Sequence, residues 1–90
     1  MYRVAYTGTF KKDYKRCSKR HCNLDLLHTV ISILENNGSL PSEYQSHKLS
    51  GNYADCWECH LSTDWLLIWM QDDDQQELIF IRTGTHSDLF

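Results

Sequence analysis

The sequence predicts one small α+β domain over residues 1–90, in the order β-α-α-β-β-β, with two helices packed on a twisted, mainly antiparallel sheet. Three observations predict it. Residues 8–38 hold two segments with helical apolar spacing and recognisable caps. Residues 53–83 hold three strand-like segments joined by very short links, for which an antiparallel meander is the economical arrangement. With one proline, four glycines and no linker, repeat or low-complexity stretch, nothing divides the chain.

Hydrophobic residues make up 41% and charged residues 23%, a globular balance rather than a disordered one. A domain of this length buries roughly 60–65% of the surface of its unfolded chain, so the core is thin. The longest apolar run, "WLLIWM", falls far short of the ~20 residues a membrane span needs, and "MYRVAY" lacks the apolar centre of a signal peptide. The expectation is a cytoplasmic protein with no membrane partner.

The segment "YRVAY" alternates and is rich in β-formers, so Arg3 to Thr7 reads as the first strand. The first helix follows, with Thr9 as its expected N-cap. Rotation at ~100° per residue puts Phe10, Tyr14, Cys17 and His21 in one narrow stripe, which gives His21 a capping or packing role. Lys11, Lys12, Lys15, Arg16, Lys19 and Arg20 cover most of the remaining face, six of the nine basic residues in the chain. The second helix opens at Asn23, a good cap, and closes at "NNG", with Gly38 where a left-handed residue is favoured. Its apolar half holds Leu24, Leu26, Leu27, Val30, Ile31, Ile33 and Leu34; His28 falls on the solvated half.

After the loop "GSLPSEYQSHKLSGN" come strands at Tyr53 to Leu61, Trp65 to Gln71 and Glu77 to Thr83. "WLLIWM" is apolar on both parities and reads as the central strand. "STD" and the acidic "DDDQQ" are the two links. In such a meander His60, ending one strand, lies beside Asp64, which precedes the next. The last strand ends at the same edge with Arg82, and the turn Thr83-Gly84-Thr85 carries His86 back across it. Spacing alone leaves His47 unplaced.

Two imidazoles, a carboxylate and a guanidinium at one edge suit phosphodiester cleavage in RNA. Histidines serve as base and acid near neutral pH, and arginine holds a phosphate bidentately while charge builds on it. The alternative from spacing is that Asp64 caps a turn, His60 is a strand-end surface residue and His86 only docks the tail. Cys17, Cys22, Cys56 and Cys59 raise two further readings, disulfides or zinc. Without a secretory signal, and with Cys56 and Cys59 three apart on a strand and so on opposite faces, reduced structural thiols are expected.

The stretches "HKLSGNYADCWECHLSTDWLLIW" and "RTGTHSDLF" resemble the YafQ branch of the RelE superfamily, toxins of bacterial type II toxin–antitoxin modules. The resemblance runs from "YKRCSKRH" to the final phenylalanine. It implies a RelE-like, microbial RNase-like fold. It also implies ribosome-dependent, metal-independent cleavage of mRNA in the 30S A site, with no cofactor, and neutralisation by a cognate antitoxin. Carried over by position, the catalytic residues would be His47, His60, Asp64 and His86, with Arg82 on the phosphate. Phe90 matches a position linked to activity. Lys48 and Trp65 fall within matching motifs, Lys48 as an RNA contact and Trp65 as a core residue. The chain departs from many relatives at Asp55, Cys56 and Trp57, where a glycine, an aromatic and an arginine are common, and at Thr63, where proline is common.

Net charge is −3, unusual for a protein that docks among rRNA phosphates, but the charge is segregated. The basic first helix is the candidate ribosome contact, and Asp72, Asp73 and Asp74 sit at a distant hairpin tip. Two other classes use the same residues. A zinc- or nucleic-acid-binding module would use the four cysteines and the basic helix. A catalytically silent interaction protein would bind antitoxin through the toxin fold alone.

Overall fold

A computed structural model describes residues 1–90. The elements are β1 (Arg3–Tyr6), α1 (Gly8–Lys19), α2 (Leu24–Asn37), β2 (His47–Lys48), β3 (Trp57–Ser62), β4 (Trp65–Asp72), β5 (Glu77–Gly84) and α3 (His86–Leu89). One five-stranded sheet runs β1-β5-β4-β3-β2. The expected meander β3-β4-β5 is antiparallel, and β1 pairs parallel to β5. No helix is long and apolar enough to cross a membrane.

The helices form where the apolar spacing places them, with shifted ends. The N-cap of α1 is Thr7, not Thr9: its hydroxyl accepts from the Phe10 N–H at 3.0 Å and donates to the Ile81 carbonyl at 3.0 Å. Thr7 therefore closes β1 and ties the start of α1 to β5, a double role that Thr9, inside the first turn, cannot fill. In α2, Asn23 caps and Gly38 ends the helix at φ 72°, as expected. Leu27, Val30 and Leu34 are fully buried, each worth about 2 kcal/mol of apolar burial.

The sheet separates two apolar clusters. On the helix side Phe10, Cys17, Leu27, Val30 and Leu34 pack against Cys59, Leu67, Trp69, Leu78 and Phe80. On the other side Leu66 and Ile68 meet Cys56 and Leu89, with Leu49, Tyr53 and Ile81 around them. Trp65 to Trp69 are buried on both parities, so β4 is the central strand the sequence pattern predicts.

Three expectations need correction. The strand expected from Tyr53 begins only at Trp57. Gly51–Tyr53 is a 3-10 turn, and Gly51 and Asp55, at φ 73° and 69°, bend the chain out of strand geometry. The preceding loop supplies a fifth strand, β2, only two residues long. The chain also ends in a helical turn, α3, which Thr85 and Asp88 close with a reciprocal capping box.

Candidate active site

The second face of the sheet carries the titratable groups, and strand register explains each position. His60 lies opposite Leu66, Glu58 opposite Ile68, and His47 on β2 opposite Glu58. Cross-strand partners share a face, so His47, Glu58 and His60 all project to the side away from the helices. At the end of the sheet α3 brings His86 over from β5. The result is a row of three imidazoles, with His60 between His47 and His86 at ring-centroid distances of 6.4 and 6.1 Å. An open cleft lined by Tyr44, Gln45 and Thr63 runs beside His60.

Each outer imidazole has a carboxylate. Asp64, in the β3–β4 link, accepts from the His86 backbone N–H at 3.0 Å and lies 2.6 Å from its Nδ1. These two contacts hold the Asp64 carboxyl below the usual carboxylate range, the backbone N–H first and the imidazole second. With Nδ1 turned to Asp64, Nε2 of His86 is left free of that pairing. His47 places Nδ1 2.9 Å from the Gln45 carbonyl and Nε2 3.2 Å from Glu58 Oε1. Glu58 is buried, and its other oxygen has no hydrogen-bond partner. The sequence reading misses Glu58. Its signal is a carboxylate two residues before His60, on the same strand face.

Arg82 reaches this face through a bulge. Ile68 pairs with Arg82 but Trp69 pairs with Phe80, so Ile81 is the extra residue. Without it, alternation from Leu78 and Phe80 would turn Arg82 into the helix-side core. Beyond Phe80, where β1 ends, the edge of β5 is open to α1. There Asp13 accepts from Arg82 Nε at 2.7 Å, from another Arg82 nitrogen at 3.2 Å and from the Thr83 N–H at 3.2 Å. Asp13 holds the Arg82 guanidinium above its ordinary pKa. A third donor of Arg82 goes to the Tyr53 hydroxyl at 3.2 Å. Of the five N–H groups of an arginine, two remain for a ligand. Asp13, 2% exposed on the helix read as an apolar stripe flanked by six cations, is the second residue missed; its signal is its place three after Phe10 and four before Cys17.

The other expectations divide. Trp65 is buried and donates its indole N–H to the Thr83 hydroxyl at 2.9 Å, a core role as expected. Lys48 does not join the imidazoles: its Nζ lies 5.7 Å from the ring centre of Trp57, on the helix side of the sheet. Phe90 is 66% exposed, its ring meets Tyr53 edge-on at 5.7 Å, and its terminal carboxylate makes no ion pair. The buried anchor of the tail is Leu89. Arg16 and Arg20 are not free cations. Arg16 bonds Asp13 at 2.8 Å, and Arg20 bonds both oxygens of Asp88 at 2.7 and 3.3 Å. Lys11, Lys12, Lys15 and Lys19 are exposed. His21 lies past the helix end, exposed at φ 62°, rather than in the apolar stripe. His28 is exposed, as expected, and stands 2.9 Å from the Tyr14 hydroxyl, between the two long helices and apart from the other imidazoles.

Cys56 and Cys59 fall in different clusters on opposite faces of the sheet, as their spacing predicts. All four cysteines are free, and no three His, Cys, Asp or Glu side chains gather in a way that could hold a metal.

The model of the bacterial toxin of type II toxin–antitoxin systems, YafQ, matches residues 2–90. The mRNA interferase toxin YafQ of Escherichia coli K12 is 38% identical over 88 residues, covering 97% of this chain and 94% of the relative. The crystal structure of YafQ from Escherichia coli BL21(DE3) superposes with a TM-score of 0.91 at 35% identity, covering 100% of this chain and 99% of that one. YafQ in the crystal structure of the Escherichia coli DinJ–YafQ complex gives 0.90 at 36% identity, with 100% and 99% covered. With the fold and nearly the full sequence both shared, the chain belongs to the YafQ family of bacterial type II toxin–antitoxin toxins.

Proposed function

We propose that this chain is an endoribonuclease toxin that cleaves mRNA on translating ribosomes in the cytoplasm, with histidines moving the protons. The observation that carries the reading is the row His47–His60–His86, spaced at 6.4 and 6.1 Å with a carboxylate at each end. In the reaction the 2′-oxygen bonds to the adjacent phosphorus and the bond from phosphorus to the 5′-oxygen breaks. One imidazole takes the 2′-hydroxyl proton, and a second, as imidazolium, gives a proton to the leaving 5′-oxygen. The products are a 2′,3′-cyclic phosphate and a 5′-hydroxyl.

Asp64 orients the His86 ring through Nδ1 and stabilises its protonated form, leaving Nε2 for the substrate. Glu58 and the Gln45 carbonyl orient His47. The two unused N–H groups of Arg82 serve the crowded phosphorane, and Phe90 and Tyr53 flank it as an aromatic wall. Side chains thus supply base, acid and cation, and the mechanism calls on no metal.

Few groups here grip a flexible strand, so the ribosome holds the mRNA in line while the toxin supplies the chemistry. The exposed lysines of α1 supply the attraction to rRNA. The Escherichia coli DinJ–YafQ toxin–antitoxin complex supports a cognate antitoxin as the partner that silences this chain.

The test is mapping of cut sites in mRNA on translating ribosomes, with EDTA present at a level that keeps ribosomes intact. Wild-type protein should cut, His86→Ala should not, and His28→Ala should cut like wild type. Cleavage that needs an added transition metal, or equal cleavage of naked RNA, would sink the reading.

A further inference from the structure

The proposed chemistry uses none of the cysteines, and two of them meet where α1 ends. The helix closes in a Schellman motif: the Cys22 N–H donates to the Cys17 carbonyl at 3.1 Å, and the His21 N–H donates to the Ser18 carbonyl at 3.1 Å. His21 takes the left-handed φ of 62° that this turn requires, a place usually filled by glycine. In this motif the two residues closing the outer hydrogen bond bring their side chains into contact, and here both are cysteines. Cys17 is buried in the helix-side core, and Cys22, partly exposed, packs against the same cluster. Both thiols line a pocket of about 290 Å³, together with Arg20, Asp64, Gly84 and Asp88. Burial pushes the Cys17 thiol up to about 11, and the neighbouring Cys22 thiol adds to the shift.

We propose that Cys17 and Cys22 form a thiol–disulfide exchange site, which reacts with a low-molecular-weight disulfide and closes to an intramolecular disulfide across the end of α1. Cys22, the less buried of the two residues, attacks first as the thiolate. Its sulfur bonds to one sulfur of the small disulfide, that S–S bond breaks, and the other half departs as a thiolate that takes up a proton. Cys17 then loses its proton and attacks the Cys22 sulfur, expelling the remaining half as a second small thiol. Two protein thiols have become one disulfide, and one small disulfide has become two thiols. Cys17, buried and hard to deprotonate, is a poor first nucleophile, but it lies against the mixed disulfide and needs no encounter to resolve it. The other two cysteines offer no competing pair. They lie on opposite faces of the sheet, and burial pushes the Cys59 thiol up to about 12.

The thiol chemistry is tested without RNA. The native protein is incubated with oxidised glutathione at neutral pH, blocked with an alkylating agent and mapped as peptides without reduction. The expected product is a single Cys17–Cys22 disulfide with an unchanged circular dichroism spectrum, and dithiothreitol should restore both thiols. Cys17→Ser should stop at a stable glutathione adduct on Cys22, and Cys22→Ser should form neither adduct nor disulfide. The proposal is overturned if the folded wild type stays reduced, if it stalls as the adduct, or if the two cysteines join only after urea unfolding.

Discussion

One oxygen of Asp64 receives two contacts from a single residue: the His86 backbone N–H at 3.0 Å and the His86 ring nitrogen Nδ1 at 2.6 Å. The carboxylate therefore fixes both the start of α3 and the orientation of the imidazole that α3 carries. Both side chains are more than half exposed, so little stability depends on them. His86→Ala and Asp64→Ala should each lower cleavage by about 10²–10⁴-fold, the usual span for a proton-transfer group and its support. Their melting temperatures should stay close to wild type. An inactive variant that has also unfolded would return the tail to a structural role.

A pH dependence follows from the other tether of the tail. Arg20, first, and the Thr85 backbone N–H hold the Asp88 carboxyl well below the usual carboxylate range. A depressed folded-state pKa gives stability that is full above the unfolded value of about 4 and is lost as pH falls toward the folded one. Asp88→Asn mimics the protonated state. It should melt lower than wild type at pH 7, and the gap should narrow steadily below about pH 4. A gap of constant size from neutral to strongly acid pH would contradict the assignment.

Much of this arrangement is legible in the sequence because it follows from simple periodicities. Caps and apolar spacing give the helices, and a meander with short links must bring His60, Asp64, Arg82 and His86 to one edge. What escapes has no period to betray it. β2 is two residues between 3-10 turns, so the placement of His47 opposite Glu58 depends on tertiary pairing alone. The bulge at Ile81 is one extra residue in an otherwise regular strand. The capping box Thr85–Asp88 is written in the sequence, but four residues of helix leave no room for an apolar stripe. Gly84 reads as a turn residue, yet its reason is close approach: a Cβ there would stand 2.9 Å from the Asp88 Cβ.

Asp13 joins α1 to β5 by serving Arg82, Arg16 and the Thr83 N–H together. Removing it strands two guanidinium groups and a buried backbone donor. Asp13→Ala should cost about 3 kcal/mol, in the range for breaking a buried pair by deleting one partner. Urea denaturation measures it. Asp13→Asn keeps an oxygen for Thr83 and should cost less. A loss under about 1 kcal/mol for the alanine variant would show that Arg82 finds other support.

The last two residues of the chain divide the work of the tail. Leu89 is buried with Leu66 and Ile68, and Phe90 lies outside against Tyr53. Leu89→Ala should lower stability by about 2–3 kcal/mol, with cleavage falling as α3 loosens. Phe90→Ala should leave the melting temperature nearly unchanged while reducing cleavage, because Tyr53, which accepts from Arg82, loses its aromatic neighbour. Equal losses of stability in the two variants would mean that the exposed ring is also part of the core.

The basic face of α1 is smaller than its composition suggests, since Arg16 and Arg20 serve Asp13 and Asp88. Along α1, Lys11, Lys12, Lys15 and Lys19 are the exposed cations without a carboxylate partner among the ion pairs. Changing these four to glutamine should leave the fold intact and weaken ribosome binding. For every lysine that neutralises an rRNA phosphate, its replacement should also reduce the dependence of log affinity on log salt by about 0.7–0.9. Arg16→Gln and Arg20→Gln should act differently, lowering the melting temperature through the tail and the Asp13 hub with little change in salt slope. Binding and thermal melts measured on the same preparations separate the two sets. If the lysine variant binds ribosomes with an unchanged slope, α1 is a solvated face or an antitoxin contact, and the attraction to rRNA comes from elsewhere on the surface.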